Sequence, residues 1–432
     1  MSPTTGAPTQ PKRVAYMFYD RPNYCAGPTI NALRLLPELV RRGYEVTALV
    51  GYLFQCPSRE FLEGQGVAVR AVQWPEWVED QVLWIQKQLA AVDPDIFVPN
   101  VSVSGCYAAR YLREAGRPTI AGHLSTDEFN WGMAERFVRS QDEWAVSGLF
   151  CMGDVLSDTV RGWQPARTIV KNISHGAPLP DTQIDPSGPL RLVYAGRVVQ
   201  PQKRIHELVD AMIVAAGRHP QLTAKIIGDG SERAAIQRRV AASGFADRFH
   251  FTGFVEPGTV QSEMLDANVF ILLSDFEALP GAVKDAMACG LVPVCLDIPG
   301  VRELVIHEET GLLVSDRGED FQKALDRLAG DDDLRRRLST NARQHIVKGF
   351  THGAATDRWE ELFAEVWASA GPRLPIRFPR NLTWLPEPYP ALLREDRRRP
   401  PLSQRAIRRS RRAIRDGAAL PGRALRWAKR HL

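Results

Sequence analysis

No apolar run in this chain of 432 residues approaches the roughly 20 residues that a helix needs to span a bilayer. The first residues, MSPTTGAPTQPKR, lack the apolar core of a signal peptide, so we expect a cytoplasmic protein. The six cysteines form no CxxC pair and no cluster with histidine, which argues against disulfides and structural zinc. The sequence motifs of nicotinamide sites, P-loops and serine hydrolases do not occur either.

The charge is distributed unevenly along the chain. Residues 371–432 hold 17 Lys and Arg against 4 Asp and Glu, whereas residues 1–370 hold 38 basic and 46 acidic residues. The sequence therefore predicts an acidic body with a basic C-terminal tail. The body is too long for one compact core, so we expect it to form two domains.

Apolar strand-like runs alternate with helix-period stretches in both halves of the body. This alternation predicts parallel βαβ units, and hence an α/β fold with two doubly wound sheets. The predicted strands are 13–19, 45–50, 67–72, 95–100, 118–123 and 148–153, then 190–196, 224–230, 249–254, 269–274, 291–297 and 310–315.

A Pro-rich linker at 177–189 separates the two halves. The predicted division is a disordered N-terminus (1–12), two Rossmann-like domains (13–180 and 181–370) and a tail (371–432) that is Pro-rich and then Arg-rich. Doubly wound sheets bind ligands beyond the carboxyl ends of their strands, so the active site is expected in the cleft between the domains.

The stretch SDFEALPGAVKDAMACG, residues 274–290, combines two carboxylates with a predicted strand end and helix start. Pro280 suits the first turn of a helix that we predict from 281 to 289, with Gly290 as its C-terminal cap. The helix N-terminus favours an anion, and Glu277 and Asp285 would both face the cleft as acceptors for hydroxyl groups. The alternative is that Glu277 caps the helix and Asp285 is solvated.

This stretch resembles the E-x7-E motif of the retaining GT-B glycosyltransferases of family 4. Ala278 replaces the usual Gly and Asp285 the usual second Glu, so Asp285 is one methylene shorter than expected. The resemblance implies that Glu277 contacts the donor sugar and that Asp285 holds the ribose hydroxyls of the nucleotide. It also implies that Leu279, Pro280 and Gly281 line the donor site.

Cations and glycines of other segments complete the expected site. In YAGRVVQPQKRIHELVDAM, Gly196 would let the backbone approach a ligand, and Arg197 and Lys203 would stabilise the charge of a departing diphosphate. This segment resembles the family's phosphate-binding motif. By the same resemblance Gly27 approaches the donor phosphates and His123 faces the donor sugar. The nucleotide base is expected in the loop formed by Gly253, Phe254 and Val255.

The tripeptide Asp93-Pro94-Asp95 has the D-x-D pattern of metal–nucleotide sites in another glycosyltransferase fold. We interpret it as the lead-in to a strand, and we expect no metal and no cofactor. His175 and Glu303 are interpreted as structural. The tail from 391 to 432 contains sparse apolar residues among arginines and would suit an anionic membrane surface. A solvated disordered tail, or docking on the acidic body or on a partner, would also explain it. No nucleic-acid-binding module is recognisable.

The sequence thus predicts an enzyme that transfers a sugar from a nucleotide-diphosphate donor to an acceptor hydroxyl, with retention of configuration. Glu277, His123, Arg197 and Lys203 are the predicted catalytic residues. The acceptor would be a sugar, a glycan or a lipid-linked molecule, and the enzyme would be cytoplasmic or peripheral at the inner membrane face. The alternatives are a sugar-nucleotide epimerase of the same fold, an inactive binding subunit, and a scaffold that acts through the tail.

Overall fold

The computed structural model describes residues 11–22, 27–379 and 381–400. Within these ranges, thirteen strands form one sheet of seven and one of six, and all neighbouring strands are parallel. Parallel strands need crossover connections, and helices supply most of them here. The predicted α/β class with two doubly wound sheets is confirmed.

The first sheet has the order β3-β2-β1-β4-β5-β6-β7. Its strands are β1 (Arg13–Asp20), β2 (Glu45–Tyr52), β3 (Ala68–Gln73), β4 (Ile96–Asn100), β5 (Thr119–His123), β6 (Gly148–Cys151) and β7 (Ile169–Asn172). Its helices are α1 (Gly27–Arg41), α2 (Ser58–Gly64), α3 (Val78–Val92), α4 (Val103–Glu114), α5 (Glu128–Ala134) and α6 (Asp154–Gly162), with a π-helix at Glu135–Arg139. The order reverses between β1 and β4, which is where such folds bind ligands.

The second sheet has the order β10-β9-β8-β11-β12-β13 and reverses between β8 and β11. Its strands are β8 (Arg191–Ala195), β9 (Thr223–Ile227), β10 (Phe249–Gly253), β11 (Val269–Leu272), β12 (Val292–Leu296) and β13 (Leu312–Val314). The helices that follow β8 are α7 (Ile205–Arg218), α8 (Arg233–Ala242), α9 (Val260–Met264), α10 (Gly281–Cys289), α11 (Pro299–Arg302), α12 (Glu319–Gly330), α13 (Asp332–Gly349) and α14 (His352–Ala368).

The central strands are almost wholly apolar because helices cover both faces of each sheet. Every residue of β4, β5, β6 and β11 is buried. All twelve predicted strands are present within one to three residues of their predicted ends. The edge strand β7 was not predicted, because its sequence IVKN is half-buried and lacks a continuous apolar signal.

The last helix of the body, α14, corrects the predicted boundary at residue 370. It was assigned to the second domain, but Trp359, Leu362, Phe363 and Val366 belong to the core beneath the first sheet. The Trp359 ring lies 4.6 Å from that of Phe150 on β6, measured between centroids. The chain therefore crosses back to the first domain after α13, and only tertiary packing reveals this.

The first part of the tail, residues 371–400, forms a strap across the first domain. Its described residues are irregular apart from one short 3-10 turn, as the prolines predict. Trp384 stacks on Trp144 with 5.8 Å between ring centroids. Tyr107 donates a 2.6 Å hydrogen bond to the buried carboxylate of Asp396. Of the basic tail predicted at 391–432, residues 391–400 dock on the body, as one of the alternatives expected, and residues 401–432 lie outside the described residues.

At the other end of the chain, the predicted disordered segment 1–12 needs a partial correction. Pro11 is buried, and the amide of Lys12 donates to Asp95 at 2.9 Å, so these two residues are packed on the body. Residues 1–10 lie outside the described ranges. None of the helices within those ranges combines the length and apolar character needed to cross a membrane.

Candidate active site

The predicted site residues lie mainly where strands end at the two switch points. Gly27 begins α1 after β1, and Gly196 directly follows β8. The segment 274–281 joins β11 to α10. The two domains approach each other here, because a Cβ atom added to Gly153 would lie 3.0 Å from the carbonyl oxygen of Ala278. This crevice between strand ends is the candidate active site.

A cluster of polar side chains on the second domain unites three of the predicted residues. Lys203 Nζ lies 2.5 Å from Glu277 Oε1, and the two side chains are only 12% and 8% exposed. Gln202 donates to Glu277 Oε2 at 3.3 Å and to the carbonyl oxygen of Phe276 at 3.0 Å. The exposed Arg197 donates to the side-chain oxygen of Gln202 at 2.6 Å. The cluster therefore presents two cations and one carboxylate together.

Glycines bring the ends of β8, β9 and β10 into close contact beside this cluster. A Cβ atom at Gly228 would lie 2.0 Å from the carbonyl oxygen of Gly196, and Gly228 donates to the carbonyl oxygen of Gly253 at 3.0 Å. Gly228 and Gly253 have φ angles of 132° and 76°, which side chains disfavour. Phe254 and Val255 follow, partly buried. Their predicted contact with a nucleotide base stays a prediction.

The loop before α10 is held by contacts that exclude larger side chains. A Cβ atom at Gly281 would lie 2.6 Å from the ring of His175, and one at Gly300 would lie 2.2 Å from the carbonyl oxygen of Glu277. Leu279 is buried, and Pro280 is the extended N-cap residue of α10. The helix runs from Gly281 to Cys289 and ends at Gly290 with φ 88°, so its predicted limits and cap are confirmed.

The structure places Asp285 differently from the sequence expectation. Its carboxylate does not belong to the Lys203–Glu277 cluster but faces the first domain. There Arg34 on α1 donates to both of its oxygens, at 2.9 and 3.2 Å. Both side chains are largely buried, with exposures of 14% and 11%. Asp285 is thus neither solvated nor free, and its predicted contact with a ribose stays a prediction.

A second buried cation lies next to this pair. The Nζ atom of the fully buried Lys284 donates to the carbonyl oxygen of His175 at 2.6 Å. Burial lowers the pKa of Lys284 to about 7, and the nearby charge of Arg34 acts in the same direction. Burial also holds the pKa of His175 well below its usual value. These contacts fit the structural interpretation of His175, since they join the segment before the linker to α10.

His123 ends β5 in the first domain and is completely buried. Its ring lies edge-on to Trp131 with 4.4 Å between centroids, and neither ring nitrogen has a hydrogen-bond partner among the described residues. Burial lowers the pKa of His123 to about 4, so the ring is neutral at pH 7. A neutral imidazole can donate from one nitrogen and accept at the other, which suits a sugar hydroxyl.

Gly27 and Glu303 are the two remaining residues for which the sequence predicts a role. Gly27 has open space around it, because a Cβ atom there would meet no atom within 4 Å among the described residues. Glu303 accepts from the amides of Asp154 and Val155 at 2.7 and 3.1 Å, which caps α6 across the domain interface. These contacts agree with the structural interpretation of Glu303.

The D-x-D tripeptide lies at the amino end of β4, opposite the crevice. Asp95 accepts from the amides of Lys12 and Arg13 at 2.9 Å, and Asp93 pairs with Arg117 at 2.6 Å. Arg373 of the strap contacts both carboxylates. Its interpretation as the lead-in to a strand is therefore confirmed. Among the described residues, no group of three or more His, Cys, Asp or Glu side chains has the proximity needed to hold a metal.

Three residues of the site were not selected from the sequence. Gln202 directly precedes Lys203, so the phosphate-binding segment itself could have indicated it. Asn100 ends β4 with φ 55°, is 1% exposed, and has no hydrogen-bond partner for its amide among the described residues. Its position at the switch point was a usable signal. Arg34 offered none, because 251 residues separate it from its partner.

A known protein family matches this chain in the second domain, which carries the cluster of Lys203 and Glu277. Residues 182–345 match the family model for glycosyl transferases group 1, which covers most of the second domain. The putative glycosyltransferase YtcC of Bacillus subtilis is 29% identical over 196 residues, or 43% of this chain and 48% of that protein. The lipopolysaccharide core biosynthesis glycosyltransferase LpsE of Rhizobium meliloti is 27% identical over 170 residues, or 39% and 48%. The chain thus matches about half the length of these relatives.

Solved structures establish the fold of the whole body. The Anabaena protein HepE in complex with UDP superposes with a TM-score of 0.65 at 17% identity, covering 82% of this chain and all of that one. At this identity the likeness shows the fold alone. The two Rossmann-like domains are those of the GT-B fold.

Proposed function

We propose that this chain transfers a sugar from a nucleotide-diphosphate donor to an acceptor hydroxyl with retention of the anomeric configuration. The observation that carries the proposal is the cluster of Arg197, Gln202, Lys203 and Glu277 at the ends of β8 and β11. It combines cations for a diphosphate with a carboxylate for sugar hydroxyls at the switch point of a GT-B fold.

The cations would act where charge develops. As the glycosidic bond breaks, the diphosphate gains negative charge, so the fixed charges of Arg197 and Lys203 stabilise the transition state more than the ground state. The N-terminal amides of α10 add a dipole of the same sign. With these groups available, we propose that the reaction needs no metal and no cofactor.

Glu277 would hold the donor sugar rather than attack it. Its carboxylate is already paired with Lys203, so it is an acceptor of fixed orientation for hydroxyl groups. We assign no carboxylate nucleophile. In the proposed mechanism, the leaving phosphate deprotonates the acceptor hydroxyl on the same face of the sugar, which gives retention. His123 would contact the sugar from the opposite wall, and Asp285 would accept from the ribose.

The acceptor is proposed to be a glycan, polysaccharide or glycolipid precursor. One relative, LpsE, is named for lipopolysaccharide core biosynthesis, which supports this class. An anionic membrane surface is a proposed partner, but residues 397–399 pair with Glu76, Asp396 and Asp80 on the protein itself. Membrane contact was predicted for 391–432. For residues 401–432, which lie outside the described residues, it stays a prediction, and so does the cytoplasmic location.

The test is a thermal-shift screen of UDP-, GDP-, ADP- and dTDP-sugars, followed by product analysis. Ligands that bind the folded state raise the melting temperature, so the donor should be identified by its shift. UDP-sugars come first because HepE was solved with UDP. NMR of the transferred sugar should show the donor's anomeric configuration, whereas inversion would contradict the proposal. Interconversion of donor without acceptor would indicate an epimerase, and binding without turnover an inactive subunit.

A further inference from the structure

The contact between Arg34 and Asp285 is the most unusual ion pair of the crevice, because its partners belong to different domains. Arg34 lies on α1 of the first domain, and Asp285 lies on α10 of the second. The Nη2 atom donates to both carboxylate oxygens, at 2.9 and 3.2 Å. The pair therefore fixes both the orientation of the carboxylate and the approach of the two helices.

Arg34 is itself held in place by the segment that directly precedes the linker. Its Nη1 atom donates to the carbonyl oxygen of Gly176 at 2.9 Å and lies 3.5 Å from His175 Nδ1. His175 is in turn bound through its carbonyl oxygen to Lys284, the neighbour of Asp285. The guanidinium group is thus anchored at one end and bonded to the carboxylate at the other, an arrangement that suits its planar fork.

The carboxylate of Asp285 retains capacity for a ligand while it is paired. Two carboxylate oxygens offer about four acceptor sites, and Arg34 uses one on each oxygen. Each oxygen can therefore still accept one hydrogen bond. Adjacent hydroxyls such as those of a ribose supply two donors at matching spacing.

We propose that Arg34 is a positioning residue that orients Asp285 for the ribose hydroxyls of the donor and makes ribose binding depend on the approach of the two domains. This inference rests on the proposed function, because it takes a nucleotide as the ligand. Since Asp285 is shorter than the glutamate of the resembled motif, its carboxylate stays near α10, within reach of Arg34. A residue of the first domain thereby contributes to nucleotide recognition by the second.

The experiment compares ribonucleotides with their 2′-deoxy forms. The full-length protein is titrated calorimetrically with UDP and 2′-deoxy-UDP, and with the corresponding ADP and GDP pairs. Hydrogen bonds to charged groups are strong, so wild type should bind the ribonucleotide of the accepted base roughly 10-fold more tightly or better. Arg34→Gln should bring this ratio close to one, and Asp285→Asn should do the same.

Two further variants separate positioning from stability. Glu303→Gln weakens another contact between the domains without touching Asp285, so it should keep the wild-type ratio. Arg34→Lys keeps the charge but loses the planar fork, and its ratio should be intermediate. If Arg34→Gln does not fold, the affinity ratio of Arg34→Lys is measured in its place.

The outcomes are distinct. A wild-type ratio retained in Arg34→Gln, or in Arg34→Lys if only that variant folds, overturns the inference even if the melting temperature falls. Nucleotide binding with no ribose preference in wild type overturns it as well, but leaves the proposed function standing. No binding of any nucleoside diphosphate overturns both.

Discussion

The two walls of the crevice differ in charge and in the way their polar groups are satisfied. On the second-domain wall, Lys203 and Glu277 form a buried ion pair within a hydrogen-bonded cluster. On the first-domain side, Asn100 and His123 lie at strand ends beneath the surface and are neutral, almost completely buried, and without hydrogen-bond partners among the described residues; we call this pair the neutral wall. The charged wall suits a diphosphate and the neutral wall suits hydroxyl groups. Under the proposed function, the second domain would recognise the donor through charge and the first domain through hydrogen bonding.

The largest expected effect concerns the carboxylate of the charged wall. Glu277→Gln keeps the shape of the side chain but removes its charge and its ion pair with Lys203. We expect kcat/KM for transfer to fall by roughly 10²- to 10³-fold, as for other fixed polar groups that act in the transition state. Initial rates with the donor identified by thermal shift measure this.

Asp275→Asn is the matched control for Glu277→Gln. Asp275 lies two positions earlier in the chain, but it is exposed and pairs with Arg204 and Arg317 instead. Its activity should stay close to wild type. If both variants retain full activity, or lose it equally, the charged wall does not act as described.

Lys203→Met should have the next largest effect, because it removes a buried point charge from the same wall. We expect UDP, or the diphosphate of the accepted base, to bind roughly 10- to 100-fold more weakly, and the monophosphate to be affected less. Calorimetric titration of both nucleotides gives the comparison. Lys225→Met is the control, since Lys225 lies on β9 and pairs with Asp266, away from the charged wall, so its loss should not change nucleotide affinity. If Lys203→Met weakens the binding of the diphosphate and the monophosphate equally, Lys203 does not contact the outer phosphate.

The two segments of the charged wall could be recognised in the sequence because each of them is a local motif, although 74 residues separate Lys203 from Glu277. Glu277 and its loop lie within one strand–helix unit, and Lys203 lies seven residues after Gly196, so each segment could be placed after a strand end. The resemblance to the family's motifs, rather than spacing, predicted that the two segments share one site. Both sheets were predictable because buried parallel strands are continuous apolar runs. The limits of α10 followed from Pro280 and Gly290.

The contacts between distant segments could not be read in this way. The ion pair of Arg34 with Asp285 and the return of α14 to the first domain depend on how the domains pack. The edge strand β7 carries too few apolar residues to be recognised. His123 was selected by resemblance and by its strand end, but its complete burial and neutral state depend on the packing of Trp131.

A pH titration of stability tests the neutral wall. The folded-state pKa of His123 is lowered to about 4 by burial, below the unfolded value near 6.5. The unfolded chain therefore binds the extra proton between these values, and stability contributed by the neutral ring is lost as the pH falls. His123→Phe should remove about 2 kcal/mol of the wild-type loss in unfolding free energy between pH 7 and pH 5.

Denaturant unfolding at several pH values, with His250→Gln as an exposed control, measures this difference. The control should follow the wild-type pH dependence. The same His123→Phe variant should also transfer sugar more slowly, since it removes both hydrogen-bonding nitrogens. A His123→Phe protein as acid-sensitive as wild type would show that the ring is not held neutral by burial.

The smallest effect is expected in the strap. Because the strap packs on the first domain, changes in it should alter the stability of that domain and leave the charged wall of the second domain unaffected. Arg373 contacts Asp93 and the buried Asp95, and Arg373→Met leaves Asp95 with Arg13 as its nearest cation. We expect a loss of about 1 kcal/mol in unfolding free energy, measured by denaturant unfolding.

The exposed pair of Arg399 with Asp80 should contribute less, so Arg399→Met is the control. Nucleotide affinity should be unchanged in both variants, because Arg373 and Arg399 form their ion pairs with Asp93, Asp95 and Asp80 of the first domain and not with the charged wall. A weaker nucleotide affinity in Arg373→Met would mean that packing on the first domain reaches the second-domain wall, and the two walls could then no longer be treated as independent.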